Sequence, residues 1–118
     1  ANLNTTDISF INAHGTATEN NDAVESSAMT RLFNTPPPFA STKANTGHTL
    51  GAAGAVEAIF SILSLYYQEI YPGLHFCNAI EATGLKPETI YRQMPLQHIM
   101  SNSFGFGGNC TSLIFSKV

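Results

Sequence analysis

Asp7-Ile8-Ser9-Phe10-Ile11-Asn12-Ala13-His14-Gly15-Thr16 is the stretch on which the fold of this chain turns. Its first six residues are short, largely apolar and β-prone. They run straight into a histidine set among small residues, which predicts a strand whose carboxyl end delivers His14. Sites at strand ends are common in layered α/β folds. A second short strand, Phe39-Ala40-Ser41-Thr42-Lys43, repeats the arrangement and leads into Ala44-Asn45-Thr46-Gly47-His48. Glycine beside each imidazole lets a substrate approach closely, so His14 and His48 read as two halves of one polar site. A third glycine-rich segment, Asn102-Ser103-Phe104-Gly105-Phe106-Gly107-Gly108-Asn109, lies near the end of the chain.

Outward from these segments, Ala23, Val24, Ala28, Leu32 and Phe33 have helical spacing, which predicts a helix over 22–33 capped by Asn21 or Asp22. Pro36-Pro37-Pro38 forces an extended break after it. A long helix is expected from near Thr49 through Tyr67, packed tightly at Gly51, Ala52, Ala53 and Gly54. Being apolar nearly all round, it should lie buried inside a larger body. Residues 72–95 read as irregular loop with a short helical turn. Met100–Phe104 and Thr111–Phe115, joined by glycines, read as a β-hairpin.

The chain has 118 residues, enough for one domain at most. Hydrophobic residues make up 43% and charged residues only 11%, a balance expected where surface is normally covered by other protein. Its opening, Ala1-Asn2-Leu3-Asn4, resembles neither a native start nor a signal peptide, so the chain is expected to begin inside a longer one. Five basic residues and a net charge of −3 argue against nucleic acid as a partner, because phosphate binding needs clustered Lys and Arg. The longest apolar run, Ala55–Tyr67, is interrupted by Glu57, Ser61 and Ser64, so no membrane span and a soluble chain are expected. Cys77 and Cys110 stand in unlike contexts without metal-ligand spacing, and neither a disulfide framework nor a metal site is indicated; reduced cytoplasmic thiols are the expectation.

Taken in order, His14-Gly15-Thr16 followed by Asn21-Asp22 and Glu25, then Ser41-Thr42-Lys43 through Gly47-His48, then Gly51-Ala52-Ala53-Gly54, and finally Asn102 to Gly108, resemble the carboxy-terminal part of the β-ketoacyl-acyl-carrier-protein synthases. These are the condensing enzymes of fatty-acid and polyketide synthesis. The resemblance covers essentially the whole chain. It implies an α/β thiolase-like fold, with residues 1–118 forming most of the carboxy-terminal half: a mixed sheet with helices, ending in the hairpin. It also implies decarboxylative condensation of an acyl thioester with a malonyl carrier protein. The nucleophilic cysteine of that chemistry belongs to the first half of the fold, and neither Cys77 nor Cys110 has the strand-to-helix setting it needs.

By the same resemblance His14 and His48 donate hydrogen bonds to the enolate formed when malonyl loses carbon dioxide, and Lys43 organises charge beside them. An unpaired Glu57 on the apolar helix would be costly, which supports a linkage to Lys43 directly or through water. Glu57, with Asn12 and Asn102, is assigned to a buried polar network. Thr16 and Thr18 either hold the phosphopantetheine arm of the carrier protein or cap the turn after His14. Phe106 is the implied gate to the acyl chain, its glycine neighbours supplying the hinge, and Phe104 joins it in the substrate-binding set. No cofactor beyond the carrier's phosphopantetheine is implied. The partners implied are acyl carrier protein, the amino-terminal half and a second copy in a homodimer. A non-catalytic relative resembling a chain-length factor is the alternative, opposed by the presence of both histidines.

Overall fold

The computed structural model describes all 118 residues. Three helices and six strands alternate along it: β1 (Phe10–Asn12), α1 (Glu19–Leu32), β2 (Phe39–Ala40), α2 (Lys43–Thr46), α3 (Ala53–Tyr67), β3 (Glu69–Ile70), β4 (Arg92–Gln93), β5 (His98–Phe104) and β6 (Cys110–Ser116). Four strands form a mixed sheet in the order β2-β1-β5-β6, with β1 parallel to both β2 and β5 and the final hairpin antiparallel. The predicted first strand and closing hairpin are therefore both present.

Side chains alternate across a pleated sheet, and this period of two divides the core. Ile11, Ala13 and Met100 pack with Met29 and Phe33 on the α1 side. Phe10, Ala40 and Ile99 pack with Leu65 on the α3 side. The result is three layers, helix on sheet on helix, with the carboxyl end of β1 between them.

Three expectations are corrected locally. Helix α1 starts at Glu19, not Asp22, because Thr18 is extended and its carbonyl already accepts the Asp22 amide; Glu19 and Asp22 then lie inside the first turn, where acidic groups complement the helix dipole. The second strand ends at Ala40, so Lys43 is not on a strand. Instead, the Thr42 carbonyl accepts the Asn45 and Thr46 amides, winding one turn of helix that Gly47 terminates at φ +75°. Residues 72–95 are not wholly irregular, since β4 pairs antiparallel with β3 just after α3.

Helix α3 follows a 3-10 turn at Leu50–Ala52, near the predicted start, and ends where Gln68 turns left-handed and its side chain bonds the Leu65 and Leu96 carbonyls. Its polarity is inverted. Glu57, Ser61 and Ser64 are buried against the sheet, while Ile59, Ile62, Tyr66 and Tyr67 are each at least half exposed. By length and composition alone Leu50–Tyr67 is apolar enough to cross a membrane, with mean hydropathy 1.4, a test that the core helix of a soluble protein passes equally. Its packing accounts for that composition: one face of the helix is bonded to the sheet through polar side chains, and the opposite, apolar face is exposed.

Candidate active site

The backbone at the end of β1 is fixed before any side chain acts. Gly15 sits at φ +41°, and a Cβ there would lie 2.6 Å from Ser41 Cβ, so only glycine fits. Buried Glu25 reaches across from α1 and accepts the His14 amide on Oε1 and the Gly15 amide on Oε2, both at 2.9 Å. Asn102 Nδ2 donates to the same Oε1 at 3.0 Å. The residues after β1 are thus bolted to α1 on one face of the sheet.

The His14 ring is fixed from the opposite face. Lys43 Nζ donates to the His14 carbonyl at 2.6 Å, lies 3.1 Å from His14 Nδ1, and forms a buried ion pair with Glu57. Glu57 Oε2 accepts Ser103 Oγ at 2.8 Å. An ammonium group has three protons and no lone pair, so with three acceptors around it Nδ1 must accept and the neutral imidazole carries its proton on Nε2. Desolvation by burial lowers the His14 pKa below its ordinary value, and the Lys43 charge lowers it further against the opposing pull of Glu57. Helix α2, which sequence periodicity did not foretell, is what turns Lys43 back toward His14.

His48 arrives from the other side of α2. Its Nδ1 accepts the Leu50 amide at 3.0 Å, which again leaves the proton on Nε2. The two rings stand edge to face, centroids 5.5 Å apart at 87°, and Phe104 packs on His14 at 5.3 Å. Both histidines line one cavity of about 690 Å³ with Thr16, Thr18, Phe104 and Phe106. The two threonine hydroxyls are 2.8 Å apart on its exposed rim, across Ala17 at φ +60°. Phe106 is fully exposed at the tip of the hairpin.

Asn12 takes its network position, donating Nδ2 to the Glu57 carbonyl at 3.0 Å and to Ser61 Oγ at 3.3 Å. The histidines, threonines and phenylalanines assigned from the sequence thus line this cavity, and Lys43, Glu57 and Asn12 form the buried bonds behind it. Asn102 departs from the expected network with Glu57, because its amide is taken by Glu25 on the other face of the sheet. Cys77 and Cys110 stand outside the site: both are free and exposed, Cys77 lining a separate cavity of about 470 Å³. No group of three or more His, Cys, Asp or Glu side chains gathers anywhere in the chain. Two contributors went unassigned, Glu25 and Ser103. Glu25 had a legible signal: it lies one helical turn before buried Met29, and a carboxylate on a buried helical face requires donors.

Two imidazole N–H donors over one cavity are the kind of group that can meet a developing oxyanion. Residues 1–77 match the family described as Beta-ketoacyl synthase, C-terminal domain. The mitochondrial 3-oxoacyl-[acyl-carrier-protein] synthase of Arabidopsis thaliana is 43% identical over 94% of this chain and 26% of its own length. The 3-oxoacyl-[acyl-carrier-protein] synthase 1 of Escherichia coli K12 is 42% identical over 96% of this chain and 28% of its own. Among solved structures, a β-ketoacyl synthase from Burkholderia phymatum superposes with TM-score 0.92 at 39% identity, covering 98% of this chain and 29% of that one. The chain belongs to the β-ketoacyl synthase family, whose C-terminal domain it carries, and its fold is thiolase-like. It spans less than a third of the length of these relatives.

Proposed function

We propose that residues 1–118 are the carboxy-terminal part of a 3-oxoacyl-[acyl-carrier-protein] synthase, supplying the enolate-stabilising half of its active site. The observation that carries this is the pair of occupied Nδ1 atoms, which leaves His14 and His48 each with an Nε2–H donor at the same cavity. In the reaction, an acyl group waits as a thioester on a cysteine outside this chain. Malonyl enters on the carrier's phosphopantetheine arm, past Thr16 and Thr18. The bond to its carboxylate breaks, carbon dioxide leaves, and the electron pair spreads onto the thioester oxygen, where the two imidazole N–H groups meet the charge. The α-carbon then attacks the waiting acyl carbonyl, and the cysteine departs as thiolate. Phe106 gates the acyl chain.

Several features support the wider reading. The exposed apolar face of α3 suits coverage by the amino-terminal half of the enzyme, and without that half the chain should be inactive. A polyketide ketosynthase structure at TM-score 0.92 and 26% identity holds its acyl-carrier protein, which fits a carrier partner here. A homodimeric enzyme follows from the resemblance alone, and a reducing, cytoplasmic setting suits the two free thiols. The retained imidazole pair weighs against a non-catalytic chain-length partner, which has no enolate to stabilise.

His14→Ala and His48→Ala in the full-length protein should each lower malonyl decarboxylation by about two orders of magnitude, as loss of one oxyanion donor does elsewhere. Undiminished decarboxylation in both variants would overturn the proposal.

A further inference from the structure

Behind Glu25 the hydrogen bonds continue to the outermost strand of the sheet. Asn102 on β5 stands directly opposite Ser112 on β6 in the antiparallel register. A carboxylate only accepts, so Asn102 must present Nδ2 to Glu25, and its Oδ1 is thereby turned toward β6. Ser112 Oγ donates to that Oδ1 at 2.8 Å. Ser112 thus donates to Asn102 and Asn102 to Glu25, and the two Glu25 oxygens in turn accept the amides of His14 and Gly15, so the hydrogen bonds form one unbroken line.

We infer that Ser112 is a positioning residue for His14, acting from the sheet edge through Asn102 and Glu25. This rests on the reading of His14 as an enolate donor. Asn102 is buried, so removing the Ser112 hydroxyl strips its carbonyl of the one protein donor that fixes the amide plane. An amide free to turn no longer holds Glu25 Oε1 in one place, and the carboxylate can swing off the two backbone amides it accepts. The same hairpin contains a matched comparison. Ser116 Oγ lies 2.8 Å from His98 Nδ1, also as a directly opposed pair, but that bond leads away from the cavity.

The test compares Ser112→Ala, Ser112→Thr and Ser116→Ala in the full-length enzyme, with His14→Ala alongside. Ser112→Ala should slow malonyl decarboxylation about three- to tenfold, the worth of one hydrogen bond, with Ser112→Thr restoring it and Ser116→Ala leaving it unchanged. Hydrogen exchange at the amides of His14 and Gly15 should quicken in Ser112→Ala alone. Equal rates and equal exchange in Ser112→Ala and Ser116→Ala overturn the inference, as does failure of threonine to rescue. If His14→Ala itself retains decarboxylation, the enolate reading falls, and the exchange data still decide whether Ser112 holds the His14 backbone.

Discussion

Lys43 Nζ lies 3.1 Å from His14 Nδ1 while paired with buried Glu57, so a single ammonium sets the tautomer of one side chain and neutralises another. Lys43→Met is expected to remove both effects. Decarboxylation should fall because the imidazole is free to place its proton on Nδ1. Stability should fall by about 3–5 kcal/mol, the usual cost of leaving one member of a buried ion pair uncompensated. Lys43→Met combined with Glu57→Gln should recover most of the stability and none of the activity. Urea unfolding of the two variants checks this, and equal destabilisation in both would show that the pair has no energetic role.

The pH response follows from the same contact. Burial, and then the Lys43 charge, hold the His14 pKa below the ordinary value of 6.5. Between that lowered value and 6.5 the unfolded chain binds more protons than the folded one, so the contribution of His14 to stability is complete above pH 6.5 and is lost as pH falls toward the folded pKa. The imidazole carbon resonances of His14 should titrate with a midpoint below 6.5, and that midpoint should rise in Lys43→Met. A wild-type midpoint above 6.5 would contradict the assignment.

Gly15→Ala tests the backbone half of the site. The new Cβ meets Ser41 Cβ at 2.6 Å and sits at a φ unfavourable to L-residues. A loss of about 1–3 kcal/mol is expected from the strained backbone, with decarboxylation reduced because His14 shares the displaced segment. Pairing it with Ser41→Gly should return part of the stability by clearing the clash. No return would place the strain elsewhere.

Phe106→Ala should behave in the opposite manner. The ring touches solvent on all sides, so thermal stability is expected to move by less than about 0.5 kcal/mol. The distribution of acyl-chain lengths accepted by the full-length enzyme should broaden. An unchanged distribution would remove Phe106 from the gate.

How much of this was legible beforehand depended on how local the governing physics was. The strand ending at His14 and the glycine-linked hairpin were written in short runs with a clear period, and the Lys43–Glu57 linkage followed from the cost of an unpaired carboxylate. Helix α2 was not legible, because four residues, three of them polar, carry no periodicity and the turn rests on two carbonyls, those of Thr42 and Lys43. Pairing of β3 with β4 was equally hidden, since two-residue strands hold no alternation to read. The inversion of α3 was only half visible: its apolar surface announced a larger body, but which face met the sheet was decided by Glu57, Ser61 and their partners on β1 and β5.

Asn102 and Ser103 are neighbours on β5, and they hold Glu25 and Glu57 on opposite faces of the sheet. Shifting that strand by one residue would exchange the faces and release both carboxylates together. Insertions within the 105–109 turn can be absorbed at the loop, but a single insertion inside β5 cannot. The register of β5 is therefore tied through two carboxylates to both segments that frame the cavity, the turn after β1 held by Glu25 and the turn of α2 held by Glu57.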